Sequence, residues 1–270
     1  MLAALTPELD AAGGTVSVWC GRSGRPAFAR NPDTTHYAAS TMKVAVLAAV
    51  YRAAEAGDLD LDAEVPVHNE FRSAAPDAAR FGCDPGEDSD AEVWQRLGGT
   101  ATLRWLARRM IVVSGNLATN LCLDAVGTAA VNQVYAAAGA RHSVVGRGIE
   151  DAPARAAGLT NLVTAADLAA LLDALLAGRL TGEAATAEMR ALLLAQERGE
   201  DLASGLPPGT RIAHKNGWVD GVRHGAGVIY PADADPYVLV CCTTTALSQA
   251  QACALLARVA AASWADRARI

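Results

Sequence analysis

The last quarter of the chain changes period, and that change limits the fold more than any other feature. "RIAHKNGWV" (211–219), "RHGAGVIYP" (223–231) and "YVLVCCTTT" (237–245) read as three strands with short connections. Connections this short join antiparallel neighbours, because a parallel pair needs a crossover of a dozen residues or more. Near the start, "GTVSVWC" (14–20) alternates and is β-branched. "RPAFAR" (25–30) follows it after a "GRSG" turn, which is a hairpin signal. From about Gly57 to Gly199 the pattern is mostly helical, with runs such as "TLRWLARRMIVV" and "TAADLAALLDALLAG". The expected class is therefore α+β. Five strands from the two ends form one antiparallel sheet, flanked by a short helix at 2–11 and an amphipathic helix at 247–268. The middle helices are then an insertion. We expect a sheet lobe of residues 1–56 and 201–270 and an all-helical lobe of residues 57–200. The cleft between them is the expected site.

Composition agrees with such a chain. Its 270 residues are 51% hydrophobic and 19% charged, enough for one large core or two lobes. A net charge of -6 gives no basic footprint for nucleic acid. The longest apolar runs are far too short to span a bilayer, and the first residues lack a secretory-leader pattern. We expect a soluble monomer, cytoplasmic as the sequence stands, or secreted or periplasmic if a leader has been removed. The six cysteines show neither zinc spacing nor a disulfide framework, so they read as reduced core thiols. No histidine pairing suggests a metal, and no cofactor is expected.

Three short motifs carry candidate chemistry. In "YAASTMKVAVLAAVYRAAEAG" (37–57), Ser40 and Lys43 are three residues apart and share a helix side. They read either as a cap and a solvated lysine or as a nucleophile and its base. "VVSGNLATN" places Ser114, Gly115 and Asn116 between two helical runs, as a plain junction or as a hydroxyl and carboxamide projecting together. "HKNGWVDG" puts Lys215, Asn216 and Gly217 in a strand. A strand glycine marks close approach by a ligand or another backbone, while the lysine also reads as an edge-strand guard. Thr164 and Asp167 read as a capping-box pair, so Asp167 is structural. The segment 70–90 is a long loop rich in Pro, Gly and charge, flanked by Phe71 and Trp94, which pin it or roof the cleft.

Together and in this order, the S-x-x-K, S-G-N and K-N-G elements resemble the motif set of the serine β-lactamase and penicillin-binding protein group. The chain resembles class A β-lactamase-like serine hydrolases over nearly its whole length. "AASTMKVAVL" is similar to their nucleophile helix, "ARRMIVVSGNLATNLCLDAVG" to their S-D-N helix, and "GLPPGTRIAHKNGWV" to their approach to the K-T-G strand. The resemblance implies a β-lactamase/transpeptidase-like fold, no cofactor, and a small-molecule amide or β-lactam substrate bearing a carboxylate. It implies Ser40 as acylated nucleophile, Lys43 as proton acceptor, and Ser114 as donor to the leaving nitrogen. Asn116 would hold Lys43 and the substrate amide, and Lys215 the substrate carboxylate. The N–H groups of Ser40 and Trp218 would form the oxyanion hole.

The departures from the pattern bear on mechanism. Asn216 stands where the group has Thr or Ser touching the substrate carboxylate, and would offer an N–H instead. Glu150 lies where the group has the glutamate that activates water, but its following Leu-Asn pair is absent. Glu150 is read as that base, with Asp151 as alternative base and an ion pair of Glu150 with Arg147 or Arg155 as the structural alternative. Slow or absent antibiotic turnover would follow. Arg223 is read as facing the cleft to take a carboxylate, and His224 as a donor to a substrate carbonyl or a structural residue. Three functions compete: a β-lactamase, a related amidase, esterase or peptidase, and a slow-turnover lactam-binding sensor.

Overall fold

Alternation along each strand explains the core. In a computed structural model describing residues 1–76 and 80–270, five strands form one antiparallel sheet. Their order is Arg211–Val219, Val222–Tyr230, Tyr237–Thr245, Gly14–Arg22, Arg25–Arg30. Both chain ends thus contribute to one sheet, as the short connections require. Val16, Val18, Cys20, Leu239 and Cys241 enter one apolar cluster, with the helix Gln249–Asp266 and the N-terminal turns. Trp19, Val238, Val240 and Cys242 enter the other, with the helical insertion. Apart from the largely exposed edge strand Arg25–Arg30, the sheet is buried on both faces. Each fully buried Leu or Val there contributes about 1.5–3 kcal/mol. The adjacent Cys241 and Cys242 are free thiols that fall to opposite faces.

The helix Lys43–Ala56 runs through the middle of the second cluster, and Val44 to Tyr51 are all buried. From Val44 to Tyr51 it is apolar all round, as the buried part of a central helix must be. Gly57, in the left-handed region at φ 80°, ends it. Around it pack Leu103–Val112, Asn116–Ala137, Ala165–Leu176 and Glu183–Leu194. The insertion also carries short strand pairs, Glu64–Pro66 with Thr100–Thr102 and Phe71–Arg72 with Arg80–Phe81. Among the described residues, no helix is long and apolar enough to cross a membrane.

The Thr164–Asp167 capping pair is only half formed. The Thr164 hydroxyl accepts from the Asp167 N–H at 3.0 Å. The Asp167 carboxylate instead accepts from the N–H groups of Arg141, His142 and Ser143 at 2.7–2.9 Å. It ties down the turn before the next strand, a structural role of a different kind. The reciprocal capping box is at Ser248 and Gln251.

The segment 70–90 is held against the helical insertion, apart from residues 77–79, which lie outside the described residues. Phe71 is buried against Phe81, with ring centroids 5.6 Å apart. The Trp94 indole N–H donates to Asp88 at 2.9 Å. Both aromatics pin the loop.

Candidate active site

Three elements converge on Ser114. The turn Ser114–Gly115 lies between two helices, with Ser114 at φ 66°. Its hydroxyl oxygen lies 3.0 Å from Lys215 Nζ, on the edge strand, and 3.4 Å from Lys43 Nζ, on the central helix. Both lysines are fully buried. A hydroxyl oxygen has two lone pairs, so it accepts from both amines and leaves its own O–H to point elsewhere.

Lys43 Nζ donates to the Ser114 carbonyl at 2.7 Å, to Asn116 Oδ1 at 3.0 Å and to the Gly115 carbonyl at 3.3 Å. These oxygens do not include Ser40 Oγ, one turn before it. Catalytic hydrogen bonds of this kind commonly tighten only with substrate bound. Burial pushes the Lys43 pKa down from its ordinary value to about 8 against the pull of Asp88 and Glu150. Burial likewise takes Lys215 well below its ordinary value, helped by the neighbouring Lys43.

Ser40 sits in the short turn Ala39–Met42 that opens the central helix, after Ala39 at φ 45°. Gly217 presses against this turn. A Cβ at 217 would lie 2.7 Å from Ser40 N and 3.0 Å from Thr41 N. The close approach, rather than an unusual φ, requires glycine. It brings the Ser40 N–H beside the strand at Gly217–Trp218.

Glu150 closes the other side. Its Oε2 accepts from the Asp84 N–H at 2.6 Å and its Oε1 from Asn116 Nδ2 at 3.3 Å. Asn116 therefore links Lys43 to Glu150, while its amide also reaches the Glu87 carbonyl. Partial burial raises the Glu150 pKa above the ordinary value, and the two hydrogen bonds oppose that. Glu150 adopts φ 63°. A non-glycine residue there holds about 1–3 kcal/mol of strain, and such residues gather at functional sites. Ala39, Ser114 and Glu150 are three of the five in the described chain.

Several sequence readings are corrected. Glu150 makes no ion pair with Arg147 or Arg155. The Arg147 guanidinium bonds to the Gly148 carbonyl and Tyr37 hydroxyl. Asp151 is fully buried and bonds Ser73 at 2.6 Å, Ala74 N–H at 2.9 Å and Ala154 N–H at 3.0 Å. It caps the helix Ala152–Ala156, with both oxygens bonded in a fully buried position away from the Ser40 turn. His224 is fully buried. Nδ1 accepts from Thr243 N–H at 3.1 Å and Nε2 bonds the Tyr37 carbonyl at 2.8 Å, so neither nitrogen faces a substrate. Burial pushes its pKa down to about 4. Arg223 is buried and paired with Asp201 at 2.8 Å and Glu200 at 3.0 Å, not open to the cleft. Asn216 directs Nδ2 to the Arg198 carbonyl and Asp201, each at 3.1 Å, so it offers no N–H to a substrate.

Three further residues shape the site. Asp88 accepts from the N–H groups of Asn116 and Leu117, both at 2.8 Å, capping the helix that carries Asn116. Asp90 forms a bidentate ion pair with Arg109 and fills the space beside Gly115, where a Cβ would lie 3.0 Å from its own. Asn120 clasps Ile149 by its N–H at 2.8 Å and its carbonyl at 2.9 Å, which fixes the backbone leading into Glu150. The acidic stretch Glu87-Asp88-Ser89-Asp90 lies far from the S-G-N junction in sequence and gave no sign of the first two.

A five-stranded sheet with an inserted helical lobe and a buried Ser–Lys cluster defines a serine hydrolase of the β-lactamase and penicillin-binding protein type. The sequence profile of the "Beta-lactamase enzyme family" matches residues 2–266, and the chain belongs to that family. A β-lactamase from Sphaerobacter thermophilus superposes with a TM-score of 0.82 at 28% identity, covering 99% of this chain and 96% of that one. The structure titled PBP-A gives 0.82 at 20% identity, covering 100% and 96%. A class A β-lactamase of the last common ancestor of Gram-negative bacteria gives 0.80 at 22% identity, covering 98% of each. The latter two share the fold. No curated protein sequence matches the chain.

Proposed function

We propose that the chain hydrolyses a β-lactam or a related amide or ester through an acyl group on Ser40, with slow release of that group. The observation that carries this reading is the Ser114 hydroxyl held by two buried lysines beside the Ser40 turn. The lobes 1–56 with 201–270 and 57–200 would then meet at this cleft.

Each step has a residue. The neutral form of Lys43 takes the Ser40 proton as Oγ bonds to the substrate carbonyl carbon. The N–H groups of Ser40 and Trp218 stabilise the oxygen that becomes negative, and each such donor is typically worth about 10²–10³ in rate. As the C–N or C–O bond breaks, Ser114 gives its proton to the leaving atom and recovers one from Lys43. Glu150 then takes a proton from water as the water oxygen bonds to the acyl carbon, the bond from that carbon to Ser40 Oγ breaks, and Oγ regains a proton. Pro153 and Ala154 stand where Leu and Asn would help hold that water, so Glu150 works with less help.

Incubation with a chromogenic cephalosporin at millimolar concentration, read by absorbance and intact mass, tests this. Slow hydrolysis with a one-to-one acyl adduct is expected. A chain with neither adduct nor hydrolysis contradicts the β-lactam reading and favours the related amidase, esterase or peptidase. An adduct that never leaves supports the sensor reading.

The acylation rate should depend on pH through Lys43. Burial stabilises the neutral amine, so its pKa falls to about 8. Below that the ammonium dominates and the rate drops about tenfold per pH unit; above it the rate levels off. A pre-steady-state profile flat from pH 6 to about 9 would exclude Lys43 as the base.

Gly217→Ala should cost about 10²-fold in acylation, because the added Cβ meets backbone atoms at Ser40 and must displace them. Thermal melting alongside kinetics separates this from simple destabilisation. A variant as fast as wild type would show the contact to be irrelevant.

A further inference from the structure

Resting on that acyl-enzyme reading, we infer that the cleft takes substrates uncharged at the end beside Lys215, because Asp201 engages Arg223 and Asn216 while Lys215 itself is bonded to Ser114 and the Asn216 carbonyl. Asp201 is fully buried. Its Oδ2 accepts from Arg223 Nη2 at 2.8 Å, Arg223 Nε at 3.2 Å and Asn216 Nδ2 at 3.1 Å. Its Oδ1 is held by the Leu202 N–H at 2.7 Å. Glu200 adds a second carboxylate on Arg223 at 3.0 Å.

The arrangement is continuous with the reacting cluster. Ser114 Oγ bonds Lys215, and Lys215 Nζ lies 2.9 Å from the Asn216 carbonyl and 3.4 Å from Asn216 Oδ1. Asn216 thus turns its oxygen toward Lys215 and its N–H groups away from it. Both Nδ2 partners are acceptors, so the amide cannot be flipped without loss of both bonds. An incoming carboxylate would meet that oxygen, and the nearest guanidinium is already forked by carboxylates.

Charge agrees with geometry. The Arg223 guanidinium is matched by both Asp201 and Glu200, so it adds no net attraction for an anion. Asp201 acts through Arg223 and Asn216 and is a positioning residue. It selects the substrate by removing attraction for an anion rather than by touching it.

Acylation of the full chain by benzylpenicillin and by its methyl ester, followed by intact mass, tests the inference. The pair differs in the one carboxylate. Wild type is expected to react with the ester at least as fast as with the acid. Asp201→Asn leaves Arg223 one carboxylate short and should shift the acid-to-ester ratio about tenfold toward the acid. A merely structural loss would slow both compounds and leave the ratio alone. The inference is overturned if wild type prefers the acid by more than about tenfold, or if the variant keeps the wild-type ratio. If Asp201→Asn does not fold, the wild-type ratio still decides. Reaction of neither compound with wild type overturns the β-lactam reading, and with it this inference.

Discussion

Ser40→Ala is expected to abolish acyl transfer, lowering turnover of any substrate by at least about 10⁴-fold and removing the mass adduct. The side chain is half-buried in a turn fixed from both sides. Gly217 packs on its backbone, and Lys43 follows on the same helix side. Alanine fits this turn, so folding should be unaffected and melting should move by less than about 1 kcal/mol. Neither Thr41 nor Ser114 can substitute. Thr41 donates its hydroxyl to the Ala38 carbonyl at 2.6 Å, and Ser114 is engaged by two amines. A Ser40→Ala protein that keeps activity would end the proposed mechanism.

Glu150→Gln should separate the two half-reactions. Deacylation should slow by about 10²–10⁴-fold while acylation changes far less, so the acyl-enzyme accumulates. Glutamine keeps the size of the side chain but offers one oxygen where glutamate offers two. That oxygen can serve the Asp84 N–H, and Asn116 then loses its acceptor. The effect should also depend on pH in wild type. Glu150 must be ionised to accept a proton, and its pKa is raised by burial. Deacylation is therefore present above that raised pKa and lost as pH falls through it. Equal slowing of both half-reactions would mean that Glu150 serves acylation as well. No change in either would place the water elsewhere.

The sheet and the Ser–Lys cluster were legible because they rest on local signals. Alternation marked the first strand, a change of period and turn signals marked the others, and short connections forced neighbours antiparallel. Ser40–Lys43, Ser114–Asn116 and Lys215–Gly217 are each contiguous, so their order alone carried the resemblance. Gly217 was legible as a close approach, although not as an approach to Ser40 N. What escaped were partners distant in sequence. Asp88 lies 28 residues before Asn116, whose N–H it caps, and Asp84 lies 66 residues before Glu150. Arg223 was misread, and His224 took its structural alternative, because strand parity fixes a face, not what already occupies it. Asp201 comes from the connection preceding the strand, and nothing in "RGEDLAS" marks it as the partner of Arg223. Asp151 escaped for the same reason, since Ser73 and Ala74 claim it from a loop 77–78 residues away.

The most direct test of the central claim is peptide mapping of the Glu150→Gln protein after exposure to a penicillin methyl ester. The account predicts a single acyl group, on the Ser40 hydroxyl, in the peptide that spans Lys43 when proteolysis avoids that lysine. An adduct on any other residue, or none while wild type still consumes the compound, would contradict it.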